Sequence, residues 1–240
     1  MYSQWHRFEV PEKQVIAGLC QNCPEFKALY NAERPRIAWQ EIYWYLKDDL
    51  PEESSAIMRV CELHDMPRYE IYLRGLPENV SQAISVAHEL LHCVFHKEGF
   101  PTTKDPERQL ASLSTILNNL LVHPLIVARM RFYGFDLAEQ HQRFVQAALK
   151  MLQQYPQGPQ DYPEELGFIL GYAAHILTWG TLYPRCEFEL MVEARYPEIA
   201  HQGYELVNLV KRRGYDTPEK QRKLIEGITR RYRLEEYVHS

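Results

Sequence analysis

Apolar and polar residues alternate in two short stretches of the first third of the chain, "SAIMRVCEL" (Ser55 to Leu63) and "RYEIYLRG" (Arg68 to Gly75). Period-two alternation places one set of side chains on each face of a pleated strand, and the "HDMP" turn with Pro67 between them makes the two read as a strand pair. Just upstream, "AWQEIYWYLKDDLP" has the look of an amphipathic helix stopped by Pro51. After residue 80 the period becomes helical. "LPENVSQAISVAHELLHCVFHKEG" offers Asn79 or Ser81 as an N-cap, a long apolar stretch, and Gly99 where a helix end wants a left-handed residue.

The next helix is announced by "DPERQLASLSTILNNLLVHP": Asp105 as N-cap, Pro106 at the first helical position, and Glu107 at the positive end of the dipole. Pro124 disfavours helical geometry at His123, so a break or kink is expected there before "PLIVARMRFYG" resumes and ends at Gly134. "DLAEQHQRFVQAALKMLQQY" follows with a capping-box pattern, Asp136 to Glu139. The run "YPQGPQDYP" (Tyr155 to Pro163) reads as a linker, and what lies beyond it is helical. The pattern therefore predicts an α+β fold, mostly helical, in which a small N-terminal antiparallel sheet packs on the helix around residue 88. A first domain over 1–155 would be followed by a helical extension over 156–240, packed on it as one unit.

Composition narrows the function. A chain of 240 residues with 45% hydrophobic content fills a core on its own, and a net charge of −5 gives no general attraction to nucleic acid or to an anionic membrane. The basic C-terminal stretch "KRRGYDTPEKQRK" reads as a solvated helix face. "LGFILGYAAHILTWGTLYP" (Leu166 to Pro184) has no Asp, Glu, Lys or Arg, but it carries His175, two threonines and three glycines, which suits a buried central helix better than a bilayer span. The polar N-terminus lacks the apolar run of a secretory signal, so the expected location is cytoplasmic. Five scattered cysteines fit free thiols in a reducing compartment. Cys20 and Cys23 form a CxxC with no second pair at zinc-ribbon spacing.

The chemistry concentrates in "SVAHELLHCVFHKEGF". His88, Glu89 and His92 spell HExxH within the strongest helix. Residues four apart share a helical face, so both imidazoles can converge on one Zn2+ ion at about 2.0–2.1 Å. Glu89, one position round the helix, reaches a water on that ion without ligating it, which makes it the candidate general base. His96 lies eight positions beyond His88, about 12 Å of rise and about 80° of rotation away, too far for the same ion. It is expected in a supporting position or at the wet end of the helix, as is Glu98. A catalytic zinc takes a third protein ligand, and the metzincin HExxHxxGxxH and thermolysin-like NExxxD patterns are both missing. His123 is the first choice for that ligand and Glu107 the alternative; Asn119 suits a position orienting an imidazole, and His175 a more remote ligand or oxyanion role.

From about Ser55 to Gly134 the chain resembles the small cytoplasmic zinc peptidases of the ImmA/IrrE type, in the order strand pair, HELxH helix, short loop, second helix: "MRVCEL", "YEIYLRG", "SVAHELLH", "ERQLASLSTILNNLLVHP". The resemblance implies a zincin-like fold, zinc on His88 and His92, and Glu89 as catalytic glutamate. It also implies an edge strand, "RYEIYLRG", that holds an extended peptide by backbone pairing. The expected function is hydrolysis of a peptide bond in a peptide or protein substrate. The competing expectations are a regulatory, non-catalytic zincin-fold interaction protein, and an ordinary helical binding module carrying the motif by accident. Substrate and oligomeric state do not follow from these patterns.

Overall fold

The computed structural model describes residues 8–50, 55–63, 66–102 and 111–234. The chain forms two compact units, Met1–Glu98 with Ala128–Phe135, and Gly99–Val127 with Asp136–Ser240. The division falls at the Glu98–Gly99 turn, and the Pro, Gly and Gln run after Tyr155 lies inside the second unit. Gly99 has φ +87°, a conformation glycine adopts without the Cβ penalty.

The first unit contains a four-stranded mixed sheet with strands β1 (Phe8–Val10), β2 (Ile42–Leu46), β3 (Ala56–Leu63) and β4 (Met66–Leu73), in the order β1-β2-β4-β3. β3 and β4 pair antiparallel, with Met58 opposite Ile71, as their alternation predicts. The sheet is not wholly antiparallel, because β2 runs parallel to β4 with Trp44 opposite Ile71. That overturns the helix expected over "AWQEIYWYLKDDLP". A short 3-10 turn, Trp39–Glu41, leads into a strand instead, and the β-branched and aromatic run "IYWYL" buries Ile42, Trp44 and Tyr45 between two strand neighbours. Pro67 belongs to β4 itself rather than to the turn before it. β4 is interior and β3 occupies an edge of the sheet, which corrects the expectation that "RYEIYLRG" is the edge strand.

Two helices that the sequence pattern did not suggest, α1 (Glu12–Asn22) and α2 (Pro24–Glu33), precede the second strand. Each buries a narrow stripe, Val15 and Leu19 on α1, Phe26 and Leu29 on α2. Cys20 and Cys23 flank the α1–α2 junction as free thiols. α3 (Val80–Lys97) packs against both helices and against β3. Its cap is a full capping box: the Asn79 side chain accepts from the Gln82 amide, and Gln82 reaches back to the Asn79 amide. Ala83, Ala87, Leu90, Leu91 and Val94, which fall on one face of the helix, are completely buried and set its rotation.

α4 (Ala111–Phe132) continues through Pro124 without interruption, so the expected break is not there. The lost Pro124 amide bond is offset by burial on either side of it, at Leu120, Leu121, Ile126 and Val127. The predicted capping residues Asp105 and Pro106 lie outside the described residues. The last turns of α4 join the first unit, where Arg129 pairs with Glu98 at 3.2 Å and with Glu33 at 3.5 Å, its guanidinium over the Phe95 ring.

The second unit is helical: the earlier part of α4, then α5 (Ala138–Gln154), α6 (Tyr162–Trp179), α7 (Glu187–Arg195), α8 (Pro197–Arg213) and α9 (Pro218–Arg231). Asp136 bonds the Ala138 amide at 3.0 Å, but the residue at the N-cap of α5 is Leu137. The uncharged helix α6 is the centre of the unit, with eleven residues from Leu166 to Trp179 buried, and it packs along α8. Gly203 on α8 makes that close approach possible, since a Cβ there would stand 2.6 Å from the Tyr172 ring of α6. Among the described residues one stretch, Leu113–Phe132 of α4, is long and apolar enough to cross a membrane by length and composition, and 56% of its most apolar window is buried.

Candidate metal centre

The HExxH face of α3 is formed as its spacing requires. The Nε2 atoms of His88 and His92 face each other 3.1 Å apart, with the rings at 70°. Two imidazole nitrogens on one tetrahedral zinc are separated by about 3.3 Å when each bond is about 2.0–2.1 Å, so the pair already stands at the spacing of two ligands of one ion. Both residues are half-buried on a helix whose next positions, Leu90 and Leu91, are wholly inside. Burial pushes the His88 imidazole down to about 4. At neutral pH it is therefore uncharged, the form that binds a metal.

Glu89 turns towards the sheet. Its Oε2 accepts a hydrogen bond from the backbone amide of Met58 on β3 at 2.8 Å. Burial raises the carboxyl to about 8, and the Met58 amide opposes that rise by favouring the anion. A carboxylate held in this way, beside two facing imidazoles, has high proton affinity and a fixed direction. Further along, Ser85 is tied to Ser55 by an Oγ–Oγ hydrogen bond of 2.6 Å, at the chain entry into β3. The donor types, the ring spacing and the neutral imidazole fit a zinc ion, and none of these features needs the ion in order to form.

No protein-family model, curated protein or solved structure matches the chain.

The remaining residues singled out by sequence divide clearly. His96 bonds the Tyr69 hydroxyl of β4 through Nδ1 at 3.0 Å and meets that ring edge-on, so it braces α3 on the sheet. Glu98 pairs with Arg36 and Arg129. His123 and Asn119 are half-buried residues of α4 in the second unit, and Glu107 lies outside the described residues. His175 is buried in the second unit with its own partners, Glu189 and Cys186. Sequence reasoning did not find the part played by Met58. It acts through its backbone amide, which leaves no residue-type signal; only the strand preceding the motif hinted at it.

Proposed function

We propose that the chain is a zinc-dependent peptidase in which His88 and His92 hold the metal, His123 is the third ligand, and Glu89 is the general base. The observation that carries this reading is the 3.1 Å Nε2–Nε2 pair beside a half-buried carboxylate anchored to strand β3. A zinc ion held there would supply Lewis acidity to a scissile carbonyl and lower the pKa of a water. With the ion bound, Glu89 would accept a proton from the attacking water and pass it to the leaving amine, a task suited to a group whose proton affinity lies near the working pH. The Met58 amide keeps the receiving oxygen oriented throughout. The edge strand β3, rather than β4, is the place for an extended peptide or protein substrate to pair by backbone hydrogen bonds.

The test is elemental analysis of the purified chain together with cleavage of a mixed peptide library. Zinc is expected at one equivalent or more, lost by chelation together with cleavage, and Glu89→Gln is expected to retain metal while cleavage falls by at least about 100-fold. His123→Ala should weaken zinc binding and Glu107→Ala should not. Zinc bound tightly with no cleavage of any peptide would leave the regulatory alternative standing, and absence of zinc from the His88/His92 pair would remove the proposal.

A further inference from the structure

A second group of side chains that could hold a metal ion lies in the helical unit, apart from His88, Glu89 and His92. His141 in the first turn of α5, His175 near the end of α6, and Cys186 at the N-cap of α7 each place one donor atom within 4.8 Å of the others. A fourth residue, Glu189, joins them. His175 Nε2 is 3.1 Å from Oε1 of Glu189 and 3.4 Å from Sγ of Cys186, and the thiol stands 3.8 Å from the same carboxylate oxygen.

The direction of these contacts separates two chemistries. A cysteine–histidine–carboxylate relay uses both ring nitrogens, one towards the thiol and one towards the carboxylate. Here Nε2 alone faces both partners, and the buried Nδ1 has no hydrogen-bond partner. Thiol, carboxylate and imidazole thus converge on one point, which is the arrangement of a chelate. A tetrahedral zinc separates an imidazole nitrogen and a thiolate sulfur by about 3.5 Å, given bonds of about 2.0–2.1 and 2.3 Å, close to the 3.4 Å seen.

The rings are also held in place. Tyr183 stacks on His141 at 4.4 Å and 4°, and Phe144 on His175 at 5.3 Å and 17°, while Phe188 meets His175 edge-on at 5.2 Å. His175 is 1% exposed. Arg185 approaches Oε2 of Glu189 at 4.0 Å, so the other oxygen, Oε1, is the one turned to the cluster. Simple pairing of a buried histidine with a glutamate would use two helices. It would not require a second imidazole and a thiol from α5 and the α7 cap at the same point.

We infer that His141, His175, Cys186 and Glu189 form a binding site for a divalent zinc-type cation that ties α5, α6 and α7 together. Two imidazoles, one thiolate and one carboxylate are a complete tetrahedral set for zinc and leave no open position, so the site is structural. Binding displaces the thiol proton to solvent.

The test uses the full chain, reduced and stripped by chelator, titrated with Co2+ as spectroscopic probe and with Zn2+ as competitor. The His88→Ala/His92→Ala variant, which lacks the first pair, is expected to bind one Co2+ with cobalt–thiolate charge-transfer absorption that zinc abolishes. That band should vanish in Cys186→Ser, a change that keeps a good N-cap residue and hence the helix. In His141→Ala, at a half-exposed position, the affinity should fall on the order of 100-fold with far-ultraviolet circular dichroism unchanged. No thiolate band in the His88→Ala/His92→Ala variant overturns the inference, and so does a band that survives Cys186→Ser, since another thiol would then be its source. Loss of peptidase activity in the His88→Ala/His92→Ala variant bears on the first site alone.

Discussion

Replacing Glu89 by Gln tests the half-buried carboxyl at the centre of the proposal, without reference to any substrate. The amide keeps the size of the side chain and an oxygen for the Met58 amide, and removes only the charge. In metal-free protein the Glu89 carboxyl is raised from its ordinary 4.5 to about 8, chiefly by burial. Between those two values the folded state holds a proton that the unfolded state has released. Wild-type stability therefore falls as pH rises through that window, and the Gln variant has no such loss. From pH 5.5 to 8, with about 1.4 kcal/mol for each unit of the difference, the wild type should lose at most about 3 kcal/mol relative to the variant, and nearer 1 to 2 because the side chain is only half-buried. His88 works in the other direction: its depressed value contributes stability that is present above about 6.5 and is lost as pH falls towards 4. Both chains share that term, so it cancels in the difference.

The assay is urea denaturation of both chains at pH 5.5, 7 and 8 in chelator, comparing midpoints at constant slope. The Gln variant should gain on the wild type steadily with pH. Added zinc should flatten the wild-type dependence, because a neighbouring cation favours the ionised carboxylate. A stability difference independent of pH in chelator would sink the reasoning, since the carboxyl would then be no harder to ionise in the fold than in water.

Three further outcomes follow from the packing. Arg34 reaches Glu12 through Nε at 2.6 Å and Nη2 at 3.0 Å in a buried pair, so Arg34→Ala strands a carboxylate and should cost about 3 to 5 kcal/mol in urea denaturation. Gly203→Ala should lose about 1 to 3 kcal/mol by crowding Tyr172, whereas Gly171→Ala, where a Cβ meets nothing within 4 Å, should gain about 0.5 to 1 kcal/mol from better helix propensity. Asn79→Ala removes the capping box of α3 and should cost about 1 kcal/mol, read as a lowered melting midpoint.

What could be read from sequence, and what could not, follows from how local each cause is. α3 was legible because its cap at Asn79, its apolar stripe and Gly99 all lie within one segment and agree. The β3–β4 pair was legible for the same reason, as neighbouring strands with matching alternation. β2 was not. "IYWYL" is a continuous apolar run, in which periodicity cannot distinguish a helix from a strand, and its partner β4 is more than twenty residues away in a parallel register that no local signal reports. α1 and α2 show two strongly buried apolar positions each among many polar ones, too thin a stripe to stand out. At Pro124 a sound local rule lost to the packing of its neighbours.

The same distinction separates the two groups of candidate ligands. His88, Glu89 and His92 belong to a single helix, so the backbone of α3 fixes the spacing of the two imidazoles before any ion binds, and a metal held by that pair alone would constrain little else. His141, His175 and Cys186 are separated by 34 and 11 residues along the chain and share no motif. Only the packing of α5, α6 and α7 brings them together, which is why no pattern in the sequence announced them. An ion bound there would close two loops of the second unit, and the entropy removed from the unfolded chain would appear as stability of that unit. The helical unit should therefore melt at a metal-dependent temperature even when the His88 and His92 rings have been removed.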